Sequence, residues 1–83
     1  MPDWMESLAA ALGEEPLNPS ETAGLLRSSR EVAHRVERKF TPLSTFLLGS
    51  AVARRTADGI SREEAIGLAL KTLEGLLPAE NGG

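Results

Sequence analysis

The chain has 83 residues and a net charge of −3, with 41% hydrophobic residues and no cysteine. That length fits one domain and excludes two. The missing cysteine excludes disulfide staples, a thiolate metal site and a cysteine nucleophile, and it fits a reducing cytoplasm. No run approaches the ~20 apolar residues that cross a bilayer, and the acidic start, Asp3-Trp4-Met5-Glu6, lacks the basic flank of a signal peptide. The expectation is a cytoplasmic domain without membrane contact.

Four helices are predicted, with a stop signal between each pair. No segment alternates apolar and polar residues over a useful length, so no strand is expected. The first helix spans about Asp3 to Leu12. Asp3 can cap its first-turn amides, with Glu6 three residues on. Trp4, Leu8 and Leu12 recur every four residues as one apolar stripe that Met5 and Ala9 widen. Trp4 is expected to anchor this helix in the core. Gly13 suits the left-handed end of a helix, and Glu14 to Asn18, with Pro16, reads as a loop.

The second helix begins near Pro19 or Ser20, with Asn18 or Ser20 as cap. It is expected to run to about Lys39, with Leu25, Leu26, Ser29, Val32, Ala33, Val36 and Phe40 on its core side. Thr41-Pro42 should end it, because a residue before proline is pushed away from helical geometry. The third helix then restarts with Thr41 as cap and Pro42 as first residue, and reaches about Ala57. Leu43, Phe46, Leu47, Leu48, Ala51, Val52 and Ala53 cover nearly its whole circumference, the pattern of a buried helix. Gly49, Ser50, Ala51 and Ala53 are small enough for neighbours to approach closely. Ser44 and Thr45 are accounted for as early-turn residues. After the turn at Asp58-Gly59, Ser61 and Glu64 spell a capping box. The fourth helix runs to about Leu77 with Ile66, Ala69, Leu70, Leu73, Leu76 and Leu77 as its stripe, and Pro78 stops it. The expectation is a compact all-α four-helix domain over residues 1–78, a central apolar third helix, and a flexible tail over 79–83.

Charge is unevenly spread. Residues 1–26 hold five acids and no base, residues 27–62 eight bases and three acids, and residues 63–83 four acids with Lys71. A basic belt between acidic ends either attracts a phosphate or an acidic protein face, or is matched by acidic neighbours within the fold. At about 100° per residue, His34 falls roughly 140° from the middle of the second helix's apolar stripe. Arg27, Arg30 and Arg38 point to the same side, and Glu37 and Arg38 lie three and four residues from His34. The candidate binding residues are therefore His34, Glu37, Arg38, Arg27 and Arg30. Guanidinium forks suit a carboxylate or phosphate; the alternative is an ordinary solvated face.

Other chemistries find little support. One histidine beside Glu31 and Glu37 supplies too few ligands for a structural metal site. No nucleophile motif, Gly-rich phosphate loop or paired acid constellation is present, so neither catalysis nor a cofactor is expected. Negative net charge and the lack of stacking aromatics speak against nucleic acid.

The stretches Val32-Ala33-His34-Arg35-Val36-Glu37-Arg38 and Pro42-Leu43-Ser44-Thr45-Phe46-Leu47-Leu48-Gly49, with Trp4, Leu8 and Leu12 ahead of them, resemble a small uncharacterised helical domain of actinobacteria. The likeness spans roughly Trp4 to Leu77 and is sharpest in the centre. That domain occurs alone or C-terminal to proteins resembling molybdenum cofactor guanylyltransferase. The resemblance implies a non-enzymatic accessory or protein-interaction role near molybdopterin guanine dinucleotide synthesis, with a guanylyltransferase-like partner. Matched positions are His34, Glu37, Arg38, Pro42, Thr45 and Gly49; Trp4, Pro42, Thr45, Phe46 and Gly49 are read as structural. Two alternatives stay open: a module that holds a phosphate-bearing ligand, anion or nucleotide on the basic face, and a purely structural or oligomerising domain.

Overall fold

The structure, a computed structural model, describes residues 3–79. It is all-α, with four helices: α1 (Trp4–Leu12), α2 (Pro19–Arg35), α3 (Phe40–Ala57) and α4 (Arg62–Leu76). The expected tail lies, from residue 80 on, outside the described residues.

Three helix starts follow the local signals. Asp3 Oδ1 accepts the Glu6 amide at 2.8 Å ahead of α1. At α2, Asn18 Oδ1 accepts the Glu21 amide at 2.8 Å and Glu21 Oε1 accepts the Asn18 amide at 2.9 Å, a complete capping box with Pro19 at the first helical position. Ser61 Oγ accepts the Glu64 amide at 3.2 Å ahead of α4. At the far end of α1, Gly13 takes φ 73°, and the Gly13 and Glu14 amides return to Ala10 O and Ala9 O.

The junction of the second and third helices differs from expectation. α2 stops at Arg35, Val36 caps it, and α3 begins at Phe40 on Lys39 rather than at Pro42 on Thr41. Proline therefore sits third in α3. The first amides of a helix have no partner within it, so the missing N–H is harmless there. The Phe40 and Thr41 amides donate to Glu37 O and Arg38 O at 3.1 and 3.0 Å, and this turn is the real start of α3. Ser44 Oγ and Thr45 Oγ1 then bond back to the Thr41 carbonyl at 3.0 and 2.9 Å.

α2, α3 and α4 pack against one another. Arg62, first in α4, reaches Glu21 near the start of α2, and Arg35, last in α2, reaches Pro78 beyond the end of α4. α2 and α4 therefore run side by side in the same direction. The apolar core is Val32 from α2 with Ala65, Ile66, Ala69 and Leu70 from α4. The close approach is at Gly24 of α2, where a Cβ would meet Leu70 Cδ1 at 3.1 Å.

α3 packs on both α2 and α4, which makes it central in the packing order, yet none of its residues is buried. A helix apolar all round needs neighbours all round, and this fold supplies two. Phe46 is consequently 75% exposed, and Leu43 and Leu47 are exposed as well. Gly49 is not a close-packing contact, since a Cβ there would meet nothing within 4 Å. The larger departure is α1. No Cα of α1 lies within 8 Å of another helix, and Trp4, expected as a core anchor, is 72% exposed.

Candidate functional site

Three residues of the anticipated site share the outer side of α2. Arg27, Arg30 and His34 stand three and then four residues apart on one helical face, and all are exposed. None of the three has a side-chain hydrogen bond or ion pair among the described residues. Glu37 and Arg38 do not join them as helical neighbours, because α2 ends two residues earlier and both lie in the turn to α3. Glu37 pairs with Lys39 at 3.3 Å in the open, which contributes little. The early helix end thus separates His34 from the intended i+3 and i+4 partners. Next to this face, Arg27, Ser28, Glu31, Arg35, Glu74 and Leu77 line a groove of mixed polar and apolar surface, about 320 Å³ in volume.

Two arginines outside the anticipated set are used internally. Arg35 Nε donates to Pro78 O at 2.9 Å and its Nη1 to Glu31 Oε2 at 3.1 Å, tying the ends of α2 and α4. Arg62 does more. Its Nε and Nη2 donate to the two Glu21 carboxylate oxygens at 2.9 and 2.7 Å, a bidentate fork, while Nη1 and Nη2 also reach Glu15 O and Pro16 O at 2.9 and 2.7 Å. Glu21 is 6% exposed. The Arg62 hydrogen bonds hold its carboxyl below the usual carboxylate range; burial pushes the other way, and the Asn18 amide adds to the lowering. Arg62 in turn is raised, chiefly by the bond to Glu21. The Asn18-x-x-Glu21 spacing carried a local signal for half of this cluster; nothing near Arg62 in sequence pointed to it.

An apolar concavity lies between α2, α3 and α4. Val32, Val36, Phe40, Leu47, Leu73 and Leu76 are among its lining, Arg55 lines it too, and it measures about 360 Å³. Trp4, Met5 and Leu12 of α1 are exposed elsewhere, so the chain presents two uncovered apolar surfaces.

Among the described residues no group of three or more His, Cys, Asp or Glu is placed to hold a metal ion, and no helix is long and apolar enough to cross a membrane. Every buried side-chain nitrogen and oxygen among them has a hydrogen-bond partner. The arrangement offers an exposed charged face and an apolar groove, with an internal clasp at Arg62 and Glu21.

A family model described as a domain of unknown function, DUF6457, matches residues 1–82. No match was found among curated proteins or among solved structures.

Proposed function

The chain belongs to the DUF6457 family, a domain of unknown function, and from that premise we propose that it is a non-enzymatic interaction module that holds a partner protein on the outer face of α2. The observation that carries this reading is the division of labour among the basic residues. Arg35 and Arg62 are spent inside the fold, while Arg27, Arg30 and His34 sit together on one exposed face without a partner among the described residues. Each guanidinium is a planar fork of donors that matches a carboxylate, so a cluster of them on one helix face suits an acidic protein surface. Arg38 and Glu37 lie exposed in the turn that follows α2, off this face.

The partner to which the sequence resemblance points is a guanylyltransferase-like protein of molybdopterin guanine dinucleotide synthesis. An amide-resolved NMR titration of labelled protein with such a domain tests it. Shifts clustered on residues 27–38, abolished in an R27A/R30A/H34A variant with unchanged helical signal, are expected. Shifts absent, or retained in the variant, overturn it. The same guanidinium cluster favours a second reading, a phosphate-bearing ligand. That binding would weaken steeply with added salt, and affinity unchanged by salt would dismiss it.

A further inference from the structure

We propose that α1 is a docking arm for a second copy of this chain, each copy laying its Trp4–Leu8–Leu12 stripe along the apolar groove edged by α3 in the other. This surface is distinct from the α2 face proposed above, and either idea can fail alone.

The arm cannot serve its own groove. On one side it is closed by Gly13 at φ 73° and by the Glu14 amide bonded to Ala9 O. On the other side Arg62 grips the carbonyls of Glu15 and Pro16, the very next residues. Only the Glu14–Glu15 peptide lies between the two grips. α1 stands apart from the other helices, with no Cα within 8 Å of any of them, and its stripe is left for another molecule to cover.

Charge selects a copy of the same chain as the occupant. α1 and the turn after it carry Asp3, Glu6, Glu14 and Glu15 and no base, whereas α3 carries Arg54 and Arg55 and no acid, with Arg55 in the groove lining. An acidic arm and a basic-edged groove on one chain are self-complementary under a two-fold axis, which satisfies both contacts twice with one kind of molecule. Length agrees: nine residues of α1 span roughly 13 Å, and α3 from Phe40 to Arg55 roughly 22 Å.

Area fits a weak, concentration-dependent pair. Trp4, Met5 and Leu12 are 72, 51 and 66% exposed, and of the groove lining Val36, Phe40, Leu47 and Leu76 are 45, 39, 67 and 81% exposed. Taking roughly 200 Å² for an aromatic and 100 Å² for Leu, Val or Met, these fractions amount to on the order of 250 Å² of apolar surface on α1 and 270 Å² in the groove. Covering both on both copies removes on the order of 1,000 Å², the size of a transient interface rather than a tight one.

Trp4 is the sole tryptophan, so it reports its own burial. The experiment is sedimentation equilibrium of the full chain from micromolar to millimolar concentration, with acrylamide quenching of Trp4 on the same samples. The expected result is a two-chain mass whose appearance coincides with protection of Trp4, both moved to roughly tenfold higher concentration or more by Leu47→Glu. Leu47 is an exposed α3 residue, and unchanged helical circular dichroism of the variant shows that its fold persists. A single-chain mass with accessible Trp4 at all concentrations overturns the proposal. So does a single-chain mass with protected Trp4, which means the arm closes on its own groove, and so does a two-chain mass with Trp4 still accessible, which places the interface elsewhere.

Discussion

Replacing Arg62 by methionine keeps the apolar stem and deletes the guanidinium, which removes four hydrogen bonds at once: two to Glu21 and one each to Glu15 O and Pro16 O. What remains is a carboxylate at 6% exposure with only the Asn18 amide donating to it. Deleting one partner of a fully buried ion pair costs about 3–5 kcal/mol, and an exposed pair is worth about 0–1 kcal/mol. The Arg62 side chain is 27% exposed, so water shares part of the load, and a loss of about 2 kcal/mol is expected. For a domain of this size each kcal/mol moves Tm by about 4–8 °C, which makes the expected drop about 10 °C.

The pH dependence has a definite sign. The folded-state pKa of Glu21 is lowered from its ordinary 4.5, first by the Arg62 hydrogen bond and against the opposing effect of burial. Its contribution is therefore present above the unfolded value and is lost as pH falls through the folded value. In Arg62→Met the main lowering cause is gone and burial works against the charged form. The stability gap between wild type and variant should be full near neutrality and should narrow on acidification below about pH 4.5. Thermal melts by circular dichroism and urea titrations at several pH values read this directly. A Tm drop under about 2 °C at neutral pH, or a gap that persists undiminished into acid, would refute the clasp as a stabilising element.

Three further outcomes are expected. Gly49→Ala should stabilise the domain by about 0.5–1 kcal/mol, since α3 is helical there and a Cβ meets nothing within 4 Å; a loss in the melting curve would show that something covers this spot. Asn18→Ala removes the acceptor of the Glu21 amide and should lower stability by about 1 kcal/mol, measured by urea midpoint, with Asn18→Ser recovering most of it. Ile66→Ala opens the core at a residue 8% exposed and should cost about 2–4 kcal/mol, checked by the same unfolding curves; a cost near zero would mean that α4 is not the core helix.

How far the sequence could be read follows the range of each interaction. Asp3 with Glu6, Asn18 with Glu21 and Ser61 with Glu64 are caps formed across three residues; the first and last were legible as pairs because both halves lie in the same turn, while the second was legible only as a choice between Asn18 and Ser20, without Glu21. Gly13 was legible as a helix end for the same reason. The α2–α3 junction was misplaced because the rule for residues before proline competes with proline's tolerance in a first helical turn, and the backbone bonds from Phe40 and Thr41 favoured the latter. That error carried Glu37 and Arg38 off the α2 face, whereas Arg27, Arg30 and His34, well inside the helix, stayed together. An apolar stripe states that a helix wants cover and is silent on where the cover comes from. Trp4 and Phe46 were read as inward for that reason, and the fold left both exposed.

By itself, then, the sequence determined the helices, most of their ends and the polar face of α2, because propensity, capping and 3.6-residue periodicity act within a few residues of chain. Only the tertiary structure decided that α4 supplies the core, that Arg62 clasps Glu21 across 41 positions, and that α1 stands apart. Those depend on which surfaces meet once the chain has folded, and no local pattern encodes the meeting.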